Sequence, residues 1–232
     1  MAIPSFYHQD LTEHDKLVQL SAAEAAHALK SRRLGVGQRI RLLNGKGLVA
    51  ECVIEANEQR SVSVSISEFH NHPETQTKLT IASAVPKGDR QRVLVEMLTQ
   101  IGVSEIVPLA CEHSVTRYKA NMHDKWQRWA VEAIKQSQNP WLPIIDEGMS
   151  LLDLIKIAPE RLVYTDAQGD AVSVVKTSMS APIVLIGPEG GFSPAEIELF
   201  HDHEIKSVRL AGSILRTETA AVALASQWLT QD

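Results

Sequence analysis

Apolar and polar residues alternate along this chain in two different rhythms. From Arg39 to Ile54 the text RIRLLNGKGLVAECVI sets strand-like residues on both sides of Asn44-Gly45-Lys46-Gly47. That turn signal, in which Asn and Gly accept positive φ, predicts a hairpin. Ser61 to Ser67 reads SVSVSIS, with Val62, Val64 and Ile66 on one face and serines on the other, the period-two pattern of a half-buried strand. Ala22 to Leu29 predicts one short helix. Residues 1–72 therefore predict a small strand-rich domain, and the polar HNHPETQT stretch after Phe69 marks its boundary.

Beyond it, in residues 73–232, strand and helix alternate. Leu79–Val85 and Ile106–Leu109 predict short strands, with a helix over Asp89–Gln100 between them. A helix from about Met122 to Ser137 places Trp126, Trp129, Ala130, Ala133 and Ile134 on one face, so both tryptophans are expected in the core. Leu162–Thr165, Ile183–Ile186 and Val208–Leu210 predict later strands. This alternation predicts an α/β domain with a largely parallel sheet, whose ligand sites lie at the carboxyl ends of strands.

Composition narrows the function classes. The 232 residues are 44% hydrophobic and 22% charged, enough to bury one large or two small cores. No apolar run reaches the ~18 residues of a membrane span, and the start MAIPSFYHQD carries neither a basic leader nor an apolar signal core, so a cytoplasmic protein without a membrane partner is expected. Cys52 and Cys111 lie far apart with no CxxC neighbour, which argues against a disulfide framework or zinc ribbon and for inert core residues. Nine histidines include the pairs His70/His72 and His201/His203. Neither pair has HExxH spacing, so no metal is expected and a metal hydrolase has thin support. The formal net charge is −5, yet residues 1–72 hold 8 basic and 8 acidic side chains. Within them Lys30, Arg32, Arg33, Arg39 and Arg41 fall together with no acid between, a local patch able to pair with phosphates; a solvated basic face is the plain alternative.

Two stretches can carry chemistry. Ile183-Val184-Leu185-Ile186 runs into Gly187-Pro188-Glu189-Gly190-Gly191-Phe192, and Ser193-Pro194-Ala195-Glu196 then opens a helix as a capping box. Free amides and a positive helix terminus at a strand's end let a cofactor approach the main chain. GPEGGF is not GxGxxG and no GxxxxGK[ST] occurs, so hydride transfer at a Rossmann dinucleotide site and P-loop phosphoryl transfer lose most of their support. The second stretch runs Val208-Arg209-Leu210-Ala211-Gly212-Ser213-Ile214-Leu215-Arg216-Thr217-Glu218-Thr219-Ala220-Ala221. In it Thr217 can cap the terminal helix and Glu218 can serve its first turn, the plain structural alternative to a ligand role, whereas Arg216 has no equally simple structural role.

GPEGGFSPAEIELF followed by LAGSILRTETAAVAL resembles the C-terminal signature of the RsmE family, bacterial methyltransferases of small-subunit ribosomal RNA. VPKGDR at 85–90, GVSEIVPL at 102–109 and the NGKG hairpin extend the resemblance over nearly the whole chain. It implies a PUA-like RNA-binding β-barrel over 1–72 and a SPOUT methyltransferase domain over 73–232, whose end threads a trefoil knot around S-adenosylmethionine. It implies a homodimer that methylates N3 of a uridine in the decoding region, on free RNA or the assembled small subunit. The cofactor residues it implies are Ile186, Gly187, Pro188, Glu189, Gly190 and Gly191 with Leu210, Ala211, Gly212, Ser213, Ile214, Leu215 and Thr217. Arg216 is the expected catalytic stabiliser, because charge leaving N3 spreads onto the flanking carbonyl oxygens. Glu189 and Glu218 both remain open as proton acceptor. Arg32, Arg33, Arg39, Arg41, Lys87 and Arg90 are the expected phosphate partners.

The chain departs from the family at the knot corner, usually LGPRILRTETA, where Ala211, Gly212 and Ser213 replace Gly, Pro and the first Arg. Gln91-Arg92, Met97, Gln100-Ile101, His113 and Lys135–Asn139 also differ from the usual residues. These changes admit an alternative: an RNA-binding or ribosome-assembly factor that keeps the fold with altered or lost catalysis.

Overall fold

The computed structural model describes residues 3–58, 61–75 and 77–229, and the chain divides into two compact units. The first runs to Glu74 and also takes in Val131–Leu142; the second comprises Thr75–Ala130 and the chain from Pro143.

The first unit contains β1 (Ser5–Tyr7), β2 (Leu17–Gln19), α1 (Ala22–Ala26), β3 (Arg39–Leu43), β4 (Leu48–Glu58) and β5 (Ser61–Asn71). They form one sheet in the order β1-β3-β4-β5-β2, antiparallel except where β1 runs parallel to β3. The predicted alternation governs its burial. Ile40, Leu42, Val62 and Val64 face the core and are buried, which removes their apolar surface from water at about 25 cal/mol per Å². The hairpin forms between β3 and β4, with Gly45 and Gly47 taking the positive φ. Asn44 acts through its side chain instead, its Oδ1 accepting from Lys46 N at 2.8 Å and Leu48 N at 3.1 Å. After α1 the chain widens into a single π-helical turn, His27–Ser31, with Arg32 N donating to His27 O.

The second unit opens with β6 (Thr80–Ala84), α2 (Arg90–Ile101) and β7 (Glu105–Ala110), followed by α3 (Ala120–Ser137), inside which the division between units falls. Next come β8 (Ile144–Ile145), β9 (Met149–Ser150), α4 (Leu151–Ile157), β10 (Leu162–Ala171), α5 (Val172–Lys176), β11 (Ile183–Ile186), α6 (Pro194–Asp202), β12 (Lys206–Arg209) and α7 (Thr217–Leu229). The sheet order is β12-β10-β11-β6-β7-β8, with β9 also on β7, and every pair is parallel. α2 stops at Gly102, whose φ of 97° is left-handed and whose N–H donates to Leu98 O. The fold is thus α/β with a parallel sheet.

Two local expectations need correction. Trp126 is fully buried, but Trp129 is only half-buried, with Lys125 Nζ 4.8 Å above its ring; the helical face is narrower than the apolar pattern implied. Cys52 is buried whereas Cys111 is partly exposed, and burial pushes each thiol up to about 12. Both are thiols rather than thiolates at neutral pH.

On the last turn of α3, within the first unit, Lys135 is 8% exposed. Its Nζ donates to Glu24 Oε1 and to Glu132 Oε1, both at 2.8 Å. Glu24 is equally buried, and its Oε2 has no partner among the described residues. Removing only the cation strands a buried carboxylate. Lys135→Met is expected to lower unfolding free energy by ~3 kcal/mol, and Glu24→Leu in the same chain to restore most of it, measured by urea denaturation. Equal stability of wild type and Lys135→Met would contradict this assignment.

Candidate functional site

Three loops at the carboxyl ends of parallel strands meet around a cavity of about 340 Å³ in the second unit, within the range of small-ligand sites. The first leaves β11 and contributes Ile186, Gly187, Pro188, Glu189, Gly191 and Phe192; the second, between β12 and α7, contributes Leu210, Ala211, Ser213, Ile214, Leu215 and Thr217. Val208, Ile197 and Ala220 complete those walls. The third is Thr165, Asp166 and Ala167 of β10.

The third loop exists because β10 and β12 slip in register. Thr165 pairs with Val208, and Asp170 pairs with Val208 again, so four residues are extruded without advance of the partner strand. Gly169 closes that bulge. A Cβ there would fall 2.7 Å from the backbone of Ser207 and Val208, closer than atoms can approach. The other loops are anchored by their own contacts. Phe192 packs edge-on against Phe200 at 5.0 Å and Tyr164 at 6.3 Å, and those two rings stack at 4.5 Å. Thr217, a candidate helix cap and an expected cofactor residue, is the first residue of α7 and lines the cavity, and its hydroxyl donates to Gly187 O at 3.1 Å. One hydrogen bond thereby joins the two recognised loops.

The capping box at α6 is formed: Ser193 Oγ accepts from Glu196 N at 3.2 Å, and Glu196 Oε2 accepts from Ser193 N at 2.8 Å. Glu196 Oε1 also accepts from Glu112 N at 2.9 Å. The helix terminus expected to face a ligand is therefore largely occupied by its own side chains. Gly190 and Gly212 are outside the cavity lining, as is Arg216, which is exposed between two lining residues. Thr165–Ala167 are lining residues outside both motifs, and Phe192, Ile197, Val208 and Ala220 are lining residues within the two quoted stretches that were not among the expected cofactor residues. For Asp166 the usable signal was its place just beyond a predicted strand, where α/β sheets gather ligands.

The expected phosphate partners separate into three groups. Arg32, Arg33 and Lys87 are exposed. Arg39 and Arg41 meet the buried Glu51, at 3.4 Å and 2.5 Å, because β3 and β4 place Arg41 opposite Glu51. The absence of acids between those arginines along the chain thus concealed one across the hairpin. Arg90 stands beside the cavity, its Nη1 3.2 Å from Glu189 Oε1 and its Nε 3.9 Å from Glu218 Oε1.

A second cavity of about 380 Å³ opens beside the end of β7, lined by Arg117, Tyr118, Glu147 and Met149 among others. Burial, reinforced by nearby acids, pushes the Tyr118 phenol up to about 12. Among the described residues no cluster of His, Cys, Asp or Glu could hold a metal ion, and no helix is long and apolar enough to cross a membrane.

The fold and cleft define an RNA methyltransferase: the family model for the RNA methyltransferase domain matches residues 73–229, and that for the RNA methyltransferase PUA domain matches residues 20–67. Ribosomal RNA small subunit methyltransferase E of Rickettsia conorii is 29% identical over 234 residues, covering 96% of this chain and 93% of its own. A structure from Legionella pneumophila in complex with the bound cofactor SAM is 25% identical, with a TM-score of 0.89 over 98% of this chain and 97% of its own. A probable rRNA-methyltransferase from Porphyromonas gingivalis is 31% identical, with a TM-score of 0.82 over 97% of this chain and 96% of its own. The chain belongs to the RsmE family of RNA methyltransferases.

The register slip makes a direct prediction. Gly169→Ala is expected to cost ~1–3 kcal/mol of stability by overpacking, whereas Gly212→Ala, where a Cβ meets nothing within 4 Å, is expected to change it by less than about 0.5 kcal/mol. Chemical denaturation of both variants checks the contrast, and equal effects would contradict the close approach.

Proposed function

We propose that this protein transfers the methyl group of S-adenosylmethionine to N3 of a uridine in the decoding region of small-subunit ribosomal RNA. The observation that carries the reading is the cavity formed where the GPEGGF and LAGSILRT segments converge, in a chain of the RNA methyltransferase family. The lining suits the cofactor. Ile186, Leu210, Leu215 and Phe192 offer apolar surface for an adenine, and Asp166 and Glu189 offer anionic acceptors for ribose hydroxyls or the aminoacyl ammonium. A Cβ at Gly187 would press on the Phe192 ring at 3.2 Å, so this wall is shaped by the absence of a side chain.

When bound, S-adenosylmethionine supplies a methyl group already activated by its sulfonium charge. The protein's work is then to exclude water, fix the acceptor base in line and stabilise the charge that spreads over the uracil carbonyls. Arg216 takes the last role, as a permanently protonated planar donor exposed at the rim between Leu215 and Thr217. Ser213, at the position where the family carries a further arginine, leaves Arg216 the cation of that corner.

Residues 1–72 serve as a PUA-like RNA-binding barrel and 73–232 as a SPOUT domain with a C-terminal trefoil knot, acting as a cytoplasmic homodimer. The supporting observations are the PUA model over 20–67, the slip of β10 on β12 and the Thr217–Gly187 bond between the two late loops. Arg32, Arg33 and Lys87, exposed, supply phosphate contacts.

Small subunits lacking the modification, incubated with methyl-labelled cofactor, are expected to yield labelled N3-methyluridine by nucleoside mass spectrometry. Label on another nucleoside would assign another target, and cofactor binding without label would favour the RNA-binding or assembly role. Arg216→Ala is expected to lower kcat at least ~10²-fold with cofactor affinity and melting temperature unchanged. Arg33→Ala is expected to weaken RNA binding and flatten its salt dependence by about one counterion; an unchanged slope would remove Arg33 from the interface.

A further inference from the structure

Glu218 lies between Thr217 and Ala220, which both line the cavity, and is itself only 7% exposed. Its Oε2 is buried with no hydrogen-bond partner among the described residues. Its Oε1 is 3.9 Å from Arg90 Nε, beyond hydrogen-bond range. Arg90 in turn donates from Nη1 to Glu189 Oε1, a group of the glycine loop, at 3.2 Å. One guanidinium is thus held by the loop that walls the cavity and turned toward a carboxylate whose other oxygen is unused.

An acid in the first turn of α7 is favourable wherever its carboxylate sits. That benefit gives no reason to bury an oxygen without a partner, an arrangement that folded proteins ordinarily avoid and keep for sites where something else supplies the partner. Neither neighbouring acid buries an oxygen without a partner: Glu189 is 40% exposed with Oε1 on Arg90, and Asp166 Oδ1 accepts from Gln168 N at 2.7 Å.

We infer that Glu218 takes the N3 proton of the target uridine, and that Arg90 is the positioning residue that keeps the Glu218 carboxylate aimed at it. This rests on the N3-methylation reading above. The N3–H bond breaks toward Glu218 Oε2. The electron pair left on N3 bonds to the methyl carbon while the carbon–sulfur bond breaks with its pair remaining on sulfur, and Glu218 then returns its proton to solvent. The same oxygen selects the base. Uridine N3 carries a donor, which a carboxylate attracts, whereas cytidine N3 presents a lone pair, which it repels.

The test compares wild type with Glu218→Gln, Arg90→Met and Arg90→Lys in three measurements: S-adenosylmethionine affinity by calorimetry, affinity for small ribosomal subunits carrying uridine or cytidine at the target position, and turnover. Glu218→Gln is expected to bind the cofactor within about twofold of wild type and to lose at least ~10²-fold in kcat. It is also expected to lose a preference for uridine over cytidine that is roughly tenfold or more in wild type. Arg90→Met is expected to lower kcat with the cofactor KM unchanged, and Arg90→Lys to recover part of that loss. Retained turnover or retained uridine preference in Glu218→Gln overturns the inference, as does a loss of cofactor affinity that matches the loss of turnover. If wild type makes N3-methyluridine and Glu218→Gln does so equally well, this inference alone fails. If wild type makes none, the underlying reading fails with it.

Discussion

The site depends on one backbone contact, the approach of Gly169 to Ser207 and Val208 where β10 slips against β12. A side chain at that point would hold the strands apart, and Asp166 and Ala167 would no longer be extruded beside the loops that follow β11 and β12. The other two loops of the cavity have anchors of their own. The Tyr164–Phe192–Phe200 cluster roots the glycine loop in the core, and the Thr217 hydroxyl fastens the start of α7 to Gly187. These are non-local constraints, linking β10, β11 and the terminal helix across wide separations in the chain.

Local order in the sequence translated well into structure where one physical signal dominated. The serine–valine alternation before Ser67 became β5, the apolar IVLI run became a fully buried central strand, and Ser193 with Glu196 formed the expected box. The two late motifs were legible as cavity-lining loops because strand ends followed by small residues leave main chain open to a ligand.

What escaped the sequence was pairing across space. Glu51 pairs with Arg41 and Arg39 only because hairpin register sets it opposite Arg41, and Arg90 meets Glu189 and Glu218 through tertiary packing. Thr217 looked like a cap because capping is the commonest task of a threonine before a helix; its actual partner is 30 residues earlier in the chain. Asp166 carried no motif beyond its place after a predicted strand, and the register slip that extrudes it was not legible in the sequence.

In the proposed reaction the cavity and the Arg90–Glu189–Glu218 arrangement divide the labour of methyl transfer between holding a donor and preparing an acceptor. The claim on which this division depends is that the donor occupies the cavity formed by the three loops. Titrating S-adenosylmethionine into isotope-labelled protein and following backbone amide resonances tests it most directly. Saturable shifts concentrated at Asp166–Ala167, Ile186–Gly191 and Leu210–Thr217 are the predicted result. Shifts confined instead to the second cavity, around Pro108–Ser114 and Glu147–Ser150, or no saturable shifts at all, would contradict it.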